Sequence, residues 1–152
     1  MAEVDHDDEG LSFFNKLSGR LAIKLSEEPK PISEGMLNLA APPTARLVSV
    51  SLHMKVWIPE RAEFRELTEL EWTRVVLRSP VIRMGGDAGR AIEHRAPDGA
   101  AFTVCDLTAA IAETERQTRG ETDWFGGIDV HHAFFEGIEP DDDGVWWISW
   151  GS

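Results

Sequence analysis

The chain has 152 residues, a formal net charge of −12, and 28% charged against 42% hydrophobic side chains, the proportions of one folded domain with room for a tail. That acidity repels nucleic-acid phosphates and anionic membranes. A single cysteine, Cys105, excludes an intramolecular disulfide, and no apolar run approaches the roughly 18 residues that span a bilayer.

The first ten residues hold five acids and no base, the opposite of a secretory leader, and read as a disordered acidic tail on a cytoplasmic protein. Residues 11–25 read as an amphipathic arm. Phe14, Leu17 and Leu21 recur at helical spacing while Lys16, Arg20 and Lys24 share another side. Leu21, Ile23 and Leu25 also alternate as in a short strand. Residues 26–46 contain four prolines and read as a linker.

The domain proper is expected over 47–152. LVSVSLHMKVWI, residues 47–58, alternates strictly and predicts a strand with Val48, Val50, Leu52, Met54, Val56 and Ile58 on one face. A helix is expected within 60–78, with Thr68 and Glu71 as a capping box, although TRVVLR is also strand-like. GGDAG, residues 85–89, reads as a loop. Its arginine neighbours Arg83 and Arg90 suit a phosphate, but its spacing is that of a plain connection. Residues 91–105 read as a hairpin turning at Pro97-Asp98-Gly99. A second helix follows from Asp106 to about Arg119, with Leu107, Ala110 and Ile111 inward and Glu115 to Arg119 as an i, i+4 ion pair. GIDVHHAFFEGI and VWWISW, joined by an acidic turn, read as a closing hairpin. The order β-α-β-β-α-β-β implies an α+β fold with two helices on one face of an antiparallel sheet, ferredoxin-like with one extra C-terminal strand, behind the flexible arm.

The chemistry-bearing stretch is 127–138. Glycines bracket it, and Ile128, Val130, Phe134 and Phe135 favour a strand. A strand places His132 and Glu136 about 13 Å apart, too far to share one metal ion. Asp129 and His131 share a face but supply only two ligands, so neither a metal nor a cofactor is expected. The acid–base candidates are His131 or His132, with Asp129 orienting the ring and Glu136 as a second carboxylate. Cys105 lies near a helix start, where a thiol can be activated, though a core position is the simpler reading.

The aromatic residues point elsewhere. Trp57, Trp124, Phe135, Trp146, Trp147 and Trp150 could form an apolar patch on the sheet. The leading expectation is a non-enzymatic protein-binding module of adaptor, assembly or immunity type, using that patch and the docking arm residues Phe14, Leu17 and Leu21. Its partner would carry a basic surface or be a second copy of the chain, rather than a membrane. The alternatives are a small enzyme built on the 127–138 stretch and a small-ligand sensor.

Overall fold

The computed structural model describes residues 5–28, 44–122 and 127–152. In chain order these form β1 (Asp5–His6), α1 (Asp8–Asn15), β2 (Ser18–Glu28), β3 (Thr44–Ile58), β4 (Glu63–Arg65), α2 (Glu69–Trp72), β5 (Val75–Arg78), β6 (Val81–Gly85), β7 (Ala91–Arg95), β8 (Phe102–Thr103), α3 (Val104–Thr118), β9 (Phe134–Pro140) and β10 (Val145–Gly151).

The α+β class holds, with a larger sheet than expected. Seven strands run β4-β3-β2-β9-β10-β6-β7, antiparallel except where β10 lies parallel to β6. A second sheet, β1-β5-β8, has three strands. This order does not reproduce the ferredoxin-like arrangement. The expected first helix shrinks to the four residues of α2, because the β-branched Val75 and Val76 continue as β5. The expected 91–105 hairpin does not form either: β7 pairs with β6, and β8 with β5.

Residues 11–25 do not stand apart as an arm. Their first part ends α1, which Asp7 caps by accepting a hydrogen bond from the Gly10 N–H at 2.8 Å. The rest enters β2, whose eleven residues pair along β3 from Ser18↔Lys55 to Glu28↔Thr44. The alternation of Leu21 and Ile23 prevails over the helical spacing because Leu52 and Val50 lie directly opposite. Phe14, Leu17 and Leu21 are all buried in the core. Most of the linker expected over 26–46 lies outside the described residues.

One face of the large sheet carries that core. Leu52, Met54, Ile82, Met84, Phe135, Ile138, Trp146 and Ile148 are buried there with Phe14 from α1 and with Leu107 and Ile111 from α3. A full capping box between Thr103 and Asp106 starts α3, three residues before the expected cap at Asp106. On the opposite face Ser49, Ser51, His53, Lys55 and Trp57 of β3 are exposed, as are Arg20, Ala22 and Lys24 of β2.

The alternation expected through 127–138 breaks twice. Residues 127–133 are a loop, and β9 contains a bulge. Ile148 faces Ile138 but Trp150 faces Phe135, so three residues of β9 span what two span on β10. Gly137, with φ of +109°, absorbs the bend. Phe135 and Ile138 therefore share the buried face while Phe134 is 46% exposed. The Asn15 side chain fits the bulge like a short strand. Its Oδ1 accepts from the Ile138 N–H at 2.9 Å, and its Nδ2 donates to the Ile138 carbonyl at 3.1 Å.

Asn15→Ala should remove both bonds and lower stability by about 2 kcal/mol, read as a shifted urea midpoint with unchanged slope. A neutral result would mean that water replaces the amide and that the bulge does not depend on α1.

Candidate functional site

The 127–133 loop is folded around Asp129, which is 3% exposed. Its Oδ1 accepts the backbone N–H groups of His131 at 2.8 Å and His132 at 3.1 Å, the pattern by which an aspartate closes a turn on itself. Its Oδ2 lies 2.6 Å from His132 Nδ1. This capped turn, which a simple alternation pattern cannot register, is why the segment is not a strand.

Beneath the loop lies the C-terminal end of α3. Glu115 and Arg119 face each other one turn apart, Oε1 to Nε at 2.6 Å, and both are fully buried. The expected ion pair is thus present, but inside the protein. Arg119 Nη1 donates to the carbonyls of Asp129 at 3.0 Å and His132 at 2.7 Å. Its guanidinium lies 5.4 Å from the Trp150 ring centre. Its Nη2 has no hydrogen-bond partner among the described residues. From the other side the Gly85-Gly86-Asp87 loop closes in. The Asp87 N–H donates to Glu115 Oε2 at 3.2 Å. A side chain at Gly86 would overlap the Glu115 carboxylate, so only glycine allows the loop this approach.

The result is a convergence of Asp87, Asp129 and His132, whose ligand-type atoms all lie within 4.8 Å of one another. Burial raises the Asp87 pKa first, then its hydrogen bond to the Asp129 carboxyl; Arg119 opposes, and the charges of Asp129 and Glu115 add to the rise, which reaches about 6. Burial also acts to raise Asp129, but hydrogen bonds from Asp87, His131 and His132 outweigh it and hold that carboxyl well below its ordinary value. These opposite shifts favour Asp87, the more exposed of the two, as the carboxyl that keeps a proton while Asp129 ionises.

Of the residues singled out in the sequence, Asp129 and His132 come together here. His131 contributes its backbone N–H and its side chain is exposed. Glu136 is not part of the convergence; its carboxylate lies over the Gly151 backbone. Asp87 and Arg119 were missed as site residues. The two consecutive glycines before Asp87 and the Glu115–Arg119 spacing were the visible signals. Of the arginines beside the glycine loop, Arg90 pairs with Glu121 at 2.7 Å, and Arg83 is exposed. Cys105 is exposed in the first turn of α3.

The aromatic patch is also dispersed. Trp146 and Phe135 are buried, and Trp150 is half-buried against Phe135. Trp147 covers Gly85 and donates from Nε1 to Asp141 Oδ2 at 2.7 Å, within the acidic turn. Trp57 stays 43% exposed and stacks on Phe64 across β3 and β4, with ring centres 4.8 Å apart. Trp124 lies outside the described residues. No helix among the described residues is long and apolar enough to cross a membrane. No family model, no curated protein and no solved structure matches the chain.

Arg119→Met leaves Glu115 buried without its cation and frees two loop carbonyls, and should cost about 3–5 kcal/mol; Glu115→Gln, which keeps a hydrogen-bond acceptor, should cost less. Denaturant unfolding of both variants checks this, and an Arg119→Met variant as stable as the parent would remove the pair from its structural role. For Asp87, folding raises the pKa from an ordinary 3.8 to about 6. The folded state therefore binds more protons in that window, and stability falls as pH rises through it. Asp87→Asn mimics the protonated acid, so its Tm should match the parent near pH 3.5 and exceed it by a margin that opens between about pH 4 and 6 and then levels. A margin that is flat with pH would mean that Asp87 does not titrate with Asp129.

Proposed function

We propose that the chain is a small enzyme whose acid–base centre is Asp87, Asp129 and His132. The observation that carries this is the convergence of two carboxyls and an imidazole within 4.8 Å of one another at the protein surface. A carboxyl titrating near 6 holds its proton in weakly acidic solution and still releases it readily, the property a general acid needs. Asp129, kept ionised, favours the His132 tautomer with its proton on Nδ1, leaving Nε2 as the basic atom of the ring. Arg119 fixes the carbonyls on both sides of the turn and so holds the imidazole's attachment in place.

The same three groups also fit a divalent cation. Ligand atoms within 4.8 Å of each other need little movement to meet one ion at bond lengths of about 2.0–2.2 Å. Two carboxyls that repel each other would both ionise around it. The acid–base and cation readings part in one experiment. Carboxyl carbon and imidazole nitrogen shifts are followed by NMR from pH 4 to 8, with and without Mn²⁺ or Zn²⁺. Asp87 titrating near 6, with a response on His132, supports the acid–base centre. Loss of that titration on adding stoichiometric metal assigns the site to a cation. Asp87 titrating at an ordinary value, with no response of its neighbours, sinks both.

The protein-binding reading keeps a different support. Trp57 and Phe64 form an exposed aromatic pair on the β3–β4 corner, and the protein's acidity suits a partner with a basic surface or a second copy of the chain. Trp57→Ser with Phe64→Ser should abolish capture of such a partner, and equal capture by parent and double variant would move the contact elsewhere.

A further inference from the structure

The exposed face of the large sheet carries a trough with an unusual charge balance. It is about 450 Å³ and lined by Arg20, Ala22, Lys24, Ser49, Ser51 and His53, with Val130 and Ala133 of the 127–133 loop among the remaining lining residues. Strand register explains its shape. Arg20 faces His53, Ala22 faces Ser51, and Lys24 faces Ser49. The small side chains of Ala22 and Ser51 make the floor, and a long cation stands at each end. The two cations are four residues apart on one strand, about 13 Å at the backbone, and flexible enough to bend toward the floor. Across the other neighbour, Phe134 lies 5.5 Å from the Arg20 guanidinium and limits how that side chain can swing.

The protein is otherwise acidic, and most of its described lysines and arginines lie within ion-pairing distance of a carboxylate. Lys55, next along the same exposed face, is paired with Glu66 at 3.6 Å. Arg20 and Lys24 have no such carboxylate among the described residues, and none lines the trough. In so acidic a chain, a concavity that keeps two cations clear of the described carboxylates is set apart by charge. Serine hydroxyls between the cations add donors for oxyanions. A volume of this size suits a small molecule.

We infer that this trough binds a small multivalent anion carrying phosphate or carboxylate groups at its two ends. The cations take the ends, the hydroxyls of Ser49 and Ser51 donate to the oxygens, and Val130 and Ala133 border its body. This site does not rest on the acid–base centre, although one loop serves both: Asp129 and His132 turn toward Asp87, while Val130 and Ala133 line the trough.

The test is calorimetry of the full chain with pyrophosphate and with citrate at constant ionic strength. One saturable site for either probe is expected. Arg20→Ala with Lys24→Ala should weaken it about tenfold or more, and Ala22→Glu, which puts a carboxylate on the floor, should abolish it. All three positions are exposed, so circular dichroism should show the fold retained. Arg61→Ala removes a cation far along the chain and should leave the affinity unchanged. Absence of saturable binding of both probes at millimolar concentration would overturn the inference. So would equal weakening by Arg61→Ala, or binding undiminished by Ala22→Glu.

Discussion

The buried Glu115–Arg119 pair is the contact on which the rest of the site depends. A guanidinium with no solvent exposure is tolerable only where its charge and donors are met, and α3 supplies the counter-charge one turn away. Its Nη1 then recruits two carbonyls of a loop that has little regular structure of its own. The second oxygen of Glu115 recruits the backbone of Asp87. One helix end thus draws together a loop 28 residues before Glu115 and a loop 10 to 13 residues after Arg119, and the closeness of the two carboxyls follows. The upward push on the Asp87 pKa, from burial and from the Asp129 carboxyl, thus depends on loops that the ion pair holds in place.

The two faces of the sheet divide the labour. The helix-covered face provides the packed layer that holds α3 rigid, with Phe14, Phe135, Trp146 and Ile111 in one continuous cluster. A fixed α3 is what makes a narrow arrangement of Asp87, Asp129 and His132 possible, since a small shift of Arg119 would release the loop. The opposite face stays wet and is built from short polar side chains between cations. The 127–133 loop reaches both: Ala133 packs in the core cluster and Val130 lines the trough.

Much of the local structure was legible. The alternation of 47–58 appears in β3 from Ser49 onward, while Val48, expected inward, is 50% exposed where the pairing slips between Lys24 and Leu25; the Thr68–Glu71 capping box appears in full, and Leu107, Ala110 and Ile111 do form the buried face of α3. What was not legible was long-range or self-referential. Residues 11–25 carry both a helical and a strand period, and only the partner strand decides between them. The 127–138 stretch looks like a strand by composition, yet Asp129 bonds to its own backbone and Gly137 inserts a bulge, each of which shifts the parity of every residue beyond it. Half of the candidate site was visible as Asp129 and His132. The other half, Asp87 and Arg119, is brought in by tertiary contacts that no spacing rule in one segment encodes.

The parallel contact between β10 and β6 bears on how the chain folds. In the order β4-β3-β2-β9-β10-β6-β7, the β2–β3 and β6–β7 pairs are joined within the sheet only through β9 and β10. The strands latest in the chain are therefore the keystone of the sheet. Until residues 134–151 have been synthesised and inserted, the two halves expose the edges that β9 and β10 will later cover, β2 on one and β6 on the other. Closure demands contacts of long sequence separation, such as Gly19 with Phe135 and Arg83 with Val145, which makes it the slow step by loop-closure entropy. During that interval the unpaired edges are the part of the molecule most open to pairing with another chain.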